Sequence, residues 1–384
     1  MSPQQSPGRK TALKNQAASF VYQSQYPCPA EYLYRYHAMP GALERLLPPW
    51  ERNSVVSRQG NISPGSQVKL KMHAGPFPFY FQAHHVEDNP GVMFRDIQEK
   101  GPFTSWSHTH LFHDTASGSL LQDKIEYTLP GHRFLPSLIK NHVEKQLVRS
   151  FHYRSHTLTG DIALHQRCSH TPLKILVTGA SGVLGKRLLP LLTTGGHTVY
   201  TLVRRRPEKN RNEIFWDPEK DFLFKSDLPE IDGVIHLAGE PIGLKRWNVE
   251  SKRRVLESRV KGTRLLADTL AAMSQPPKVL LSASAIGYYG NCGKRFTDET
   301  SPAGKDFISS VCSQWENSAQ PAIDAGIRTV LLRMGVSMTP GGGALKRILS
   351  TSPLGFIRYF GSGEQYISWI SDDDLISAMH HALT

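Results

Sequence analysis

Apolar and polar residues alternate in short runs over the first third of the chain. FVYQSQY (20–26), QVKLKMH (67–73), FYFQAHHVE (79–87), VMFRDIQEK (92–100), FTSWSHTHLFHD (103–114) and SLLQDKIEYTLPG (119–131) each carry the two-residue period of a half-buried strand. Turn signals such as DNPG and ASGS separate them, so the pattern predicts consecutive hairpins of one antiparallel sheet. AEYLYRYHAMPGALERLLPPW (30–50) reads as helical. In LPSLIKNHVEKQLVRSF the apolar positions Leu138, Val143, Leu147 and Phe151 recur at helical spacing. A long helix closing on the sheet makes a grip with a cavity between the two.

After the polar stretch HQRCSHTP the period changes. KILVTG, a helix to about Thr194, HTVYTLV, DGVIHLAG, a helix through Leu270, KVLLSAS, a helix near Trp315 and RTVLLRMGV alternate strand with helix. Such alternation predicts a doubly wound parallel sheet, an α/β Rossmann fold, preceded by an α+β helix-grip domain. Pro190 falls inside the first of these helices, where it removes a hydrogen bond and is expected to kink it. The expected divisions are a disordered tail over 1–19, a helix-grip domain over 20–165 and a dinucleotide-binding domain over 173–384.

A chain of 384 residues exceeds one ordinary core, in keeping with two domains. The net charge of +12 raises nucleic acid as a partner, and LKRWNVESKRRVLESRVKGTR (244–264) is the densest basic stretch. Glu250 and Glu257 break that run at helical spacing, and no nucleic-acid motif accompanies it, so a solvated helix face is the reading and no nucleic-acid partner is expected. No apolar run approaches the roughly 18 residues needed to cross a bilayer, and the first residues lack an apolar leader core, which places the chain in the cytoplasm without a membrane partner. Cys28, Cys168, Cys292 and Cys312 are scattered, the usage of reduced thiols rather than of a disulfide framework or a structural zinc.

TGASGVLGKR (178–187) poses the chemical question. A triphosphate loop needs Gly-x-x-x-x-Gly-Lys followed by Ser or Thr, whereas Gly179 and Gly185 enclose five residues and Arg187 follows Lys186. Gly179, Gly182 and Gly185 instead form a turn that leaves a buried strand and opens a helix, the arrangement that brings a dinucleotide pyrophosphate onto helix N-terminal amides. Where NAD-binding proteins place an acid after the second strand, this chain has Arg204, Arg205 and Arg206, which suit the 2′-phosphate of NADP(H).

Beyond this turn, HLAGEPI (236–242), KRW (245–247), ESRVKGT (257–263), SASAIGYYG (282–290), WE (315–316), LLRMGV (331–336) and GSGEQYISWISDDDL (361–375) together resemble the extended short-chain dehydrogenase/reductase superfamily, within it the epimerase-like YfcH type. The resemblance covers about residues 173–384. PGALERLLPPW, GPFTSWSHTHLF and SFHYRSHTLTGDIALH are similar to START-like, polyketide-cyclase-like domains, which implies an apolar ligand cavity. Carried over, the likeness implies pyrophosphate contacts from Gly179, Ser181, Gly182, Leu184 and Gly185, and 2′-phosphate contacts from Arg204 and Arg205. It sets Leu237, Ala238 and Gly239 along the adenosine and ribose, and Ser284 against a substrate oxygen.

The likeness breaks at the Tyr-x-x-x-Lys pair. With Glu316 as register, the Tyr position holds Ile308 and the Lys position Cys312, and Arg259 replaces a usual Asn. Tyr288 and Tyr289 are the phenols left to move a proton, and Cys312 reads as buried filler. Proteins of the YfcH type normally continue for several more segments that help cover the substrate side, so against that pattern the domain is expected to be C-terminally short at Thr384. Two functions follow: an NADP(H)-dependent epimerase or oxidoreductase acting on a small molecule, or a non-catalytic module that binds NADP(H) and an apolar ligand. His108 and His110 share a strand face, with His113 and Asp114 beyond, but no second ligand cluster is visible in the sequence and no metal is expected there.

Overall fold

The computed structural model describes residues 17–75, 77–130, 136–168, 171–209, 211–242, 247–350 and 362–384. The expected tail lies outside the described residues up to position 16, and so does the side chain of Leu138. Two compact units share the chain: residues 1–38 with 53–156, and residues 39–52 with 157–384. The expected boundary near 165 therefore differs from the observed division, in which residues 39–52 and 157–165 group with the dinucleotide-binding unit.

In the first unit, β1 (Ala18–Tyr26) precedes α1 (Ala30–Ala38). The helical stretch expected over 30–50 is interrupted at Pro40-Gly41, and its second part, α2 (Ala42–Leu46), belongs to the other unit. Then come β2 (Ser54–Gln59), β3 (Gln67–Ala74), β4 (Phe77–Asn89), β5 (Met93–Lys100), β6 (Ser105–Thr115) and β7 (Gly118–Thr128). These seven strands form one antiparallel sheet in the order β1-β7-β6-β5-β4-β3-β2. Helix α3 (Pro136–Arg167) follows and runs well past Phe151, where the sequence pattern placed its end. Within this unit Ile125, Tyr127 and Phe151 are buried together, with Phe20, Tyr22, Trp106 and Leu147 packed around them. The period-two pattern of β7, buried at every second residue, turns its apolar face toward the helix.

After α2 and the end of α3, the second unit contains β8 (Lys174–Thr178), α4 (Val183–Thr194), β9 (Thr198–Val203), β10 (Glu213–Phe215) and β11 (Gly233–His236). It continues with α5 (Val249–Ala271), β12 (Val279–Ala285), α6 (Phe307–Asn317), α7 (Gln320–Asp324) and β13 (Arg328–Met334). β14 (Val336–Met338), α8 (Gly343–Ser350), β15 (Trp369–Ser371) and α9 (Asp372–Leu383) complete it. Six parallel strands stand in the order β10-β9-β8-β11-β12-β13. That is the doubly wound order, and the order in which strands are added switches sides between β8 and β11, the place where such sheets bind ligands. Both faces are covered, so the strands read as nearly continuous apolar runs: Ile175, Leu176, Val177, Val234, Ile235 and Leu281 have no exposed surface. Pro190 sits inside α4, which continues through it to Thr194. No described helix is long and apolar enough to cross a membrane.

Candidate active site

Where β8 ends, the chain turns sharply at Gly179, whose φ of 71° suits glycine. A Cβ there would stand 2.7 Å from the carbonyl carbon of Leu237, just past the end of the neighbouring β11. At Gly185 a Cβ would stand 2.6 Å from both Ala180 Cα and the Gly179 oxygen, so turn and helix touch backbone to backbone. Gly182 caps α4 without a side chain, and no acidic residue occupies the first turn of that helix. The leading amides of α4 are thus left to an anion, beside a surface that glycine keeps bare, which fits a dinucleotide pyrophosphate.

Exposed Ser181 and half-buried Leu184 flank the turn. Across it, Leu237 and Ala238 are held by their amides, both of which donate to Thr178 Oγ at 3.1 Å. Thr178 meets His236 Nδ1 at 2.7 Å, and His236 Nε2 meets Thr263 Oγ at 2.9 Å, a hydroxyl that also accepts from the Trp315 indole. Gly239 faces the Arg259 guanidinium, whose Nη1 donates to the carbonyl oxygens of Glu240 and Val255 at 3.0 Å. Arg259 thereby fixes the loop after β11 from the position where the superfamily usually has Asn.

The arginines after β9 separate by role. Arg205 grips Glu213 on β10 with two hydrogen bonds, of 2.6 and 2.9 Å, and also pairs with Glu208. Glu213 lies nine residues along the chain from Arg204, and parallel pairing of β10 with β9 is what brings it alongside. Arg204 and Arg206 are exposed and make no ion pair among the described residues.

At the C-terminal end of β12, Ser284 lies opposite Arg333 of β13 in the parallel register. Its hydroxyl has no exposed surface and donates to Glu316 Oε1 at 2.6 Å. Glu316, from α6, also takes two hydrogen bonds of 2.9 Å from the Arg333 guanidinium. Arg333 Nη1 in turn donates to the Tyr289 hydroxyl at 3.1 Å, and its guanidinium stacks 3.5 Å from the centre of the Tyr288 ring. The structure thus joins all three expected residues through two that the sequence reading had not given a role. Ser284 touches Glu316, an arrangement different from the expected contact with substrate.

A single turn, Ile286–Tyr289, carries the two tyrosines. It packs so closely on α6 that a Cβ on Gly287 would stand 2.5 Å from Ile308 Cγ2. Tyr289 and Arg333 line a cavity of about 1460 Å³, together with Cys292, Asp298, Glu364 and Tyr366. Cys312 is buried beneath, its thiol pushed up to about 11 by burial and by the nearby Glu316 carboxylate, which suits a packing role. The signal for Arg333 was present in the sequence as the one charge inside the apolar run TVLLRMGV, since a guanidinium is rarely sunk in a parallel strand without a partner.

Residues 175–384 match the sequence profile described as NAD dependent epimerase/dehydratase family, and residues 26–153 the profile described as polyketide cyclase / dehydrase and lipid transport. An epimerase family protein of Mycobacterium bovis is 37% identical over 209 residues, 54% of this chain and 68% of that protein. The epimerase family protein SDR39U1 of Homo sapiens is 38% identical over 214 residues, 55% of this chain and 70% of that one. Among solved structures, the nucleoside-diphosphate sugar epimerase from Corynebacterium glutamicum superposes with a TM-score of 0.82 at 31% identity, covering 95% of this chain and 75% of that chain. Human SDR39U1, isoform 2, solved with NADPH, gives a TM-score of 0.50 at 36% identity over 55% of this chain and 70% of its own. With more than half of its length matched by one profile, this chain belongs to the NAD dependent epimerase/dehydratase family.

Proposed function

We propose that this protein is an NADP(H)-dependent oxidoreductase or epimerase of a small molecule, with Tyr289 as the proton-transferring group. The observation that carries the proposal is the 3.1 Å hydrogen bond between Arg333 and the Tyr289 hydroxyl at the wall of the large cavity. In the usual Tyr-x-x-x-Lys arrangement an ammonium stabilises the phenolate; here the fixed cation beside the phenol is a guanidinium. Glu316 holds that guanidinium by both oxygens, and Ser284 holds Glu316, so Ser284 is a positioning residue.

NADP(H), when bound, supplies or takes up a hydride. As a carbonyl carbon gains it, Tyr289 gives its proton to the oxygen, and the phenolate left behind is stabilised by Arg333. In the reverse direction the phenolate removes the hydroxyl proton. The bare glycine turn and the uncapped start of α4 support a bound dinucleotide. The exposed Arg204 and Arg206 support NADP(H), as does the NADPH held by the human relative's structure. A purely binding role rests on Ile308 and Cys312 standing where the family pattern has Tyr and Lys; the Tyr289–Arg333 pair favours catalysis. For the first unit the matching profile supports an apolar ligand. With four free cysteines, the proposed setting is the reducing cytoplasm.

NADPH oxidation across a panel of sugar nucleotides and simple carbonyls tests the reading. Tyr289→Phe is expected to lower turnover by roughly 10²–10⁴, the worth of a positioned proton donor. Arg333→Ala should come close to it, and Cys312→Ala should leave turnover intact. A Tyr289→Phe enzyme as fast as wild type would remove the phenol from the mechanism.

A further inference from the structure

The antiparallel sheet of the first unit carries a buried polar cluster that the dinucleotide chemistry does not use. β6 presents His108 and His110 on one face, both side chains 9% exposed. β5 sets Asp96 opposite His108 in the register, and β7 sets Asp123 opposite His110. Aromatic rings surround them: Phe94 stacks on His110 with centroids 4.1 Å apart, and Phe151 meets His108 edge-on at 5.7 Å. Two carboxylates among such rings are costly unless something positive compensates them.

The distances say what. His108 Nδ1 and Asp96 Oδ2 are 3.8 Å apart, beyond hydrogen-bond reach. Two donors that share one ion at about 2.0–2.2 Å are separated by about 3.3–3.9 Å. The other ring nitrogen of the same histidine, Nε2, meets Asp123 Oδ1 at 3.1 Å. A carboxylate on the far nitrogen is how metal-binding imidazoles are oriented. His110 Nδ1 stands 2.7 Å from that same oxygen but off the line of a hydrogen bond, and it finds no other bonding partner. One ligand atom each from Asp96, His108 and His110 falls within 4.8 Å of the other two.

We infer that Asp96, His108 and His110 bind a divalent transition-metal ion, Zn²⁺ before others, with Asp123 orienting the His108 imidazole. Two imidazoles and a carboxylate suit zinc over magnesium or calcium, which prefer oxygen-only shells. Three protein ligands leave a fourth position for a water or for an oxygen of a molecule lodged against the aromatic face. The sequence pattern argued against a metal because it looked for ligands near His108. Those ligands come from neighbouring strands, while Asp114 is occupied in accepting the Ala30 amide at 2.8 Å and His113 is exposed.

The test uses untagged full-length protein stripped with EDTA, titrated with Zn²⁺ by calorimetry and assayed for bound metal after gel filtration. One zinc per chain is expected. Asp96→Asn, close in shape to wild type, and the His108→Gln/His110→Gln double variant should each weaken binding at least a hundredfold. Asp123→Asn should weaken it 10- to 100-fold, and His113→Ala should leave it unchanged. Co²⁺ should give visible absorption bands in wild type that Asp96→Asn lacks. Wild-type protein that takes up no stoichiometric zinc overturns the inference, as does binding that survives Asp96→Asn; neither result depends on the double variant folding.

Discussion

His236 shows what one buried side chain does for the nucleotide-binding edge. Its ring bridges the hydroxyls of Thr178 and Thr263, and Thr178 in turn holds the amides of Leu237 and Ala238. Burial pushes the imidazole down to about 4, so the folded protein keeps it neutral. An unfolded chain protonates the same ring near pH 6.5. Because the folded value lies below the unfolded one, stability is full above about pH 6.5 and is lost as pH falls toward 4, by about 3 kcal/mol in all. Urea unfolding of wild type and His236→Gln at pH 7 and pH 4.5 checks this: the wild-type midpoint should fall more steeply than the variant's, and equal slopes would refute it. Nothing in the sequence marked His236 for this part, since a histidine in GVIHLAG reveals its partners only when β8, β11 and α5 are side by side. Ser284 was legible as a residue at a strand end, but its contact with Glu316 was not, because 32 positions separate them.

At the level of elements, the alternation of apolar strands with amphipathic helices made the parallel sheet readable, and the period-two runs did the same for most of the antiparallel one. Short strands escaped notice. SVVSRQ of β2 is mostly exposed and β10 spans only three residues, so neither carries enough pattern to stand out. Yet β10 decides how the arginines after β9 divide. Its Glu213 ties down Arg205, leaving Arg204 as the exposed guanidinium directly after β9. Arg204→Ala is therefore expected to raise the dissociation constant for NADPH roughly ten- to a hundredfold, the worth of about 1.5–3 kcal/mol of charge-assisted hydrogen bonding. NADH affinity should hardly change. Arg205→Ala acts first on the β9–β10 pairing, so a larger NADPH-specific loss there than in Arg204→Ala would reverse the assignment.

Across the whole molecule, the piece least legible in the sequence is the one that leaves its neighbours. Residues 39–52 group with the second unit although the strands on either side of them belong to the first. Composition and periodicity are local, and they give no hint that α2 packs where it does. Arg45 explains the attachment: its side chain is 4% exposed, pairs with Asp161 at 2.7 Å and reaches Asp373 at 2.8 Å. Asp373 is shared with Arg187 of α4. Removing Arg45 strips the buried Asp161 carboxylate of its guanidinium hydrogen bonds, so Arg45→Ala should cost about 3–5 kcal/mol in thermal unfolding of the second unit. A loss under about 1 kcal/mol would mean that water reaches the site.

That ion pair also sets a timetable. Arg45 and Asp373 are 328 positions apart, and ribosomes add roughly 5–20 residues per second. For roughly 15–65 seconds after its own synthesis, the segment around Arg45 has no Asp373 to receive it. During that interval Arg45 can already meet Asp161, 116 positions away, while the second carboxylate of its site and the helix that carries it are still missing. Emergence of α9 from the ribosome is then the event that completes the site, and a chain stalled before it would offer the segment around Arg45 to chaperones.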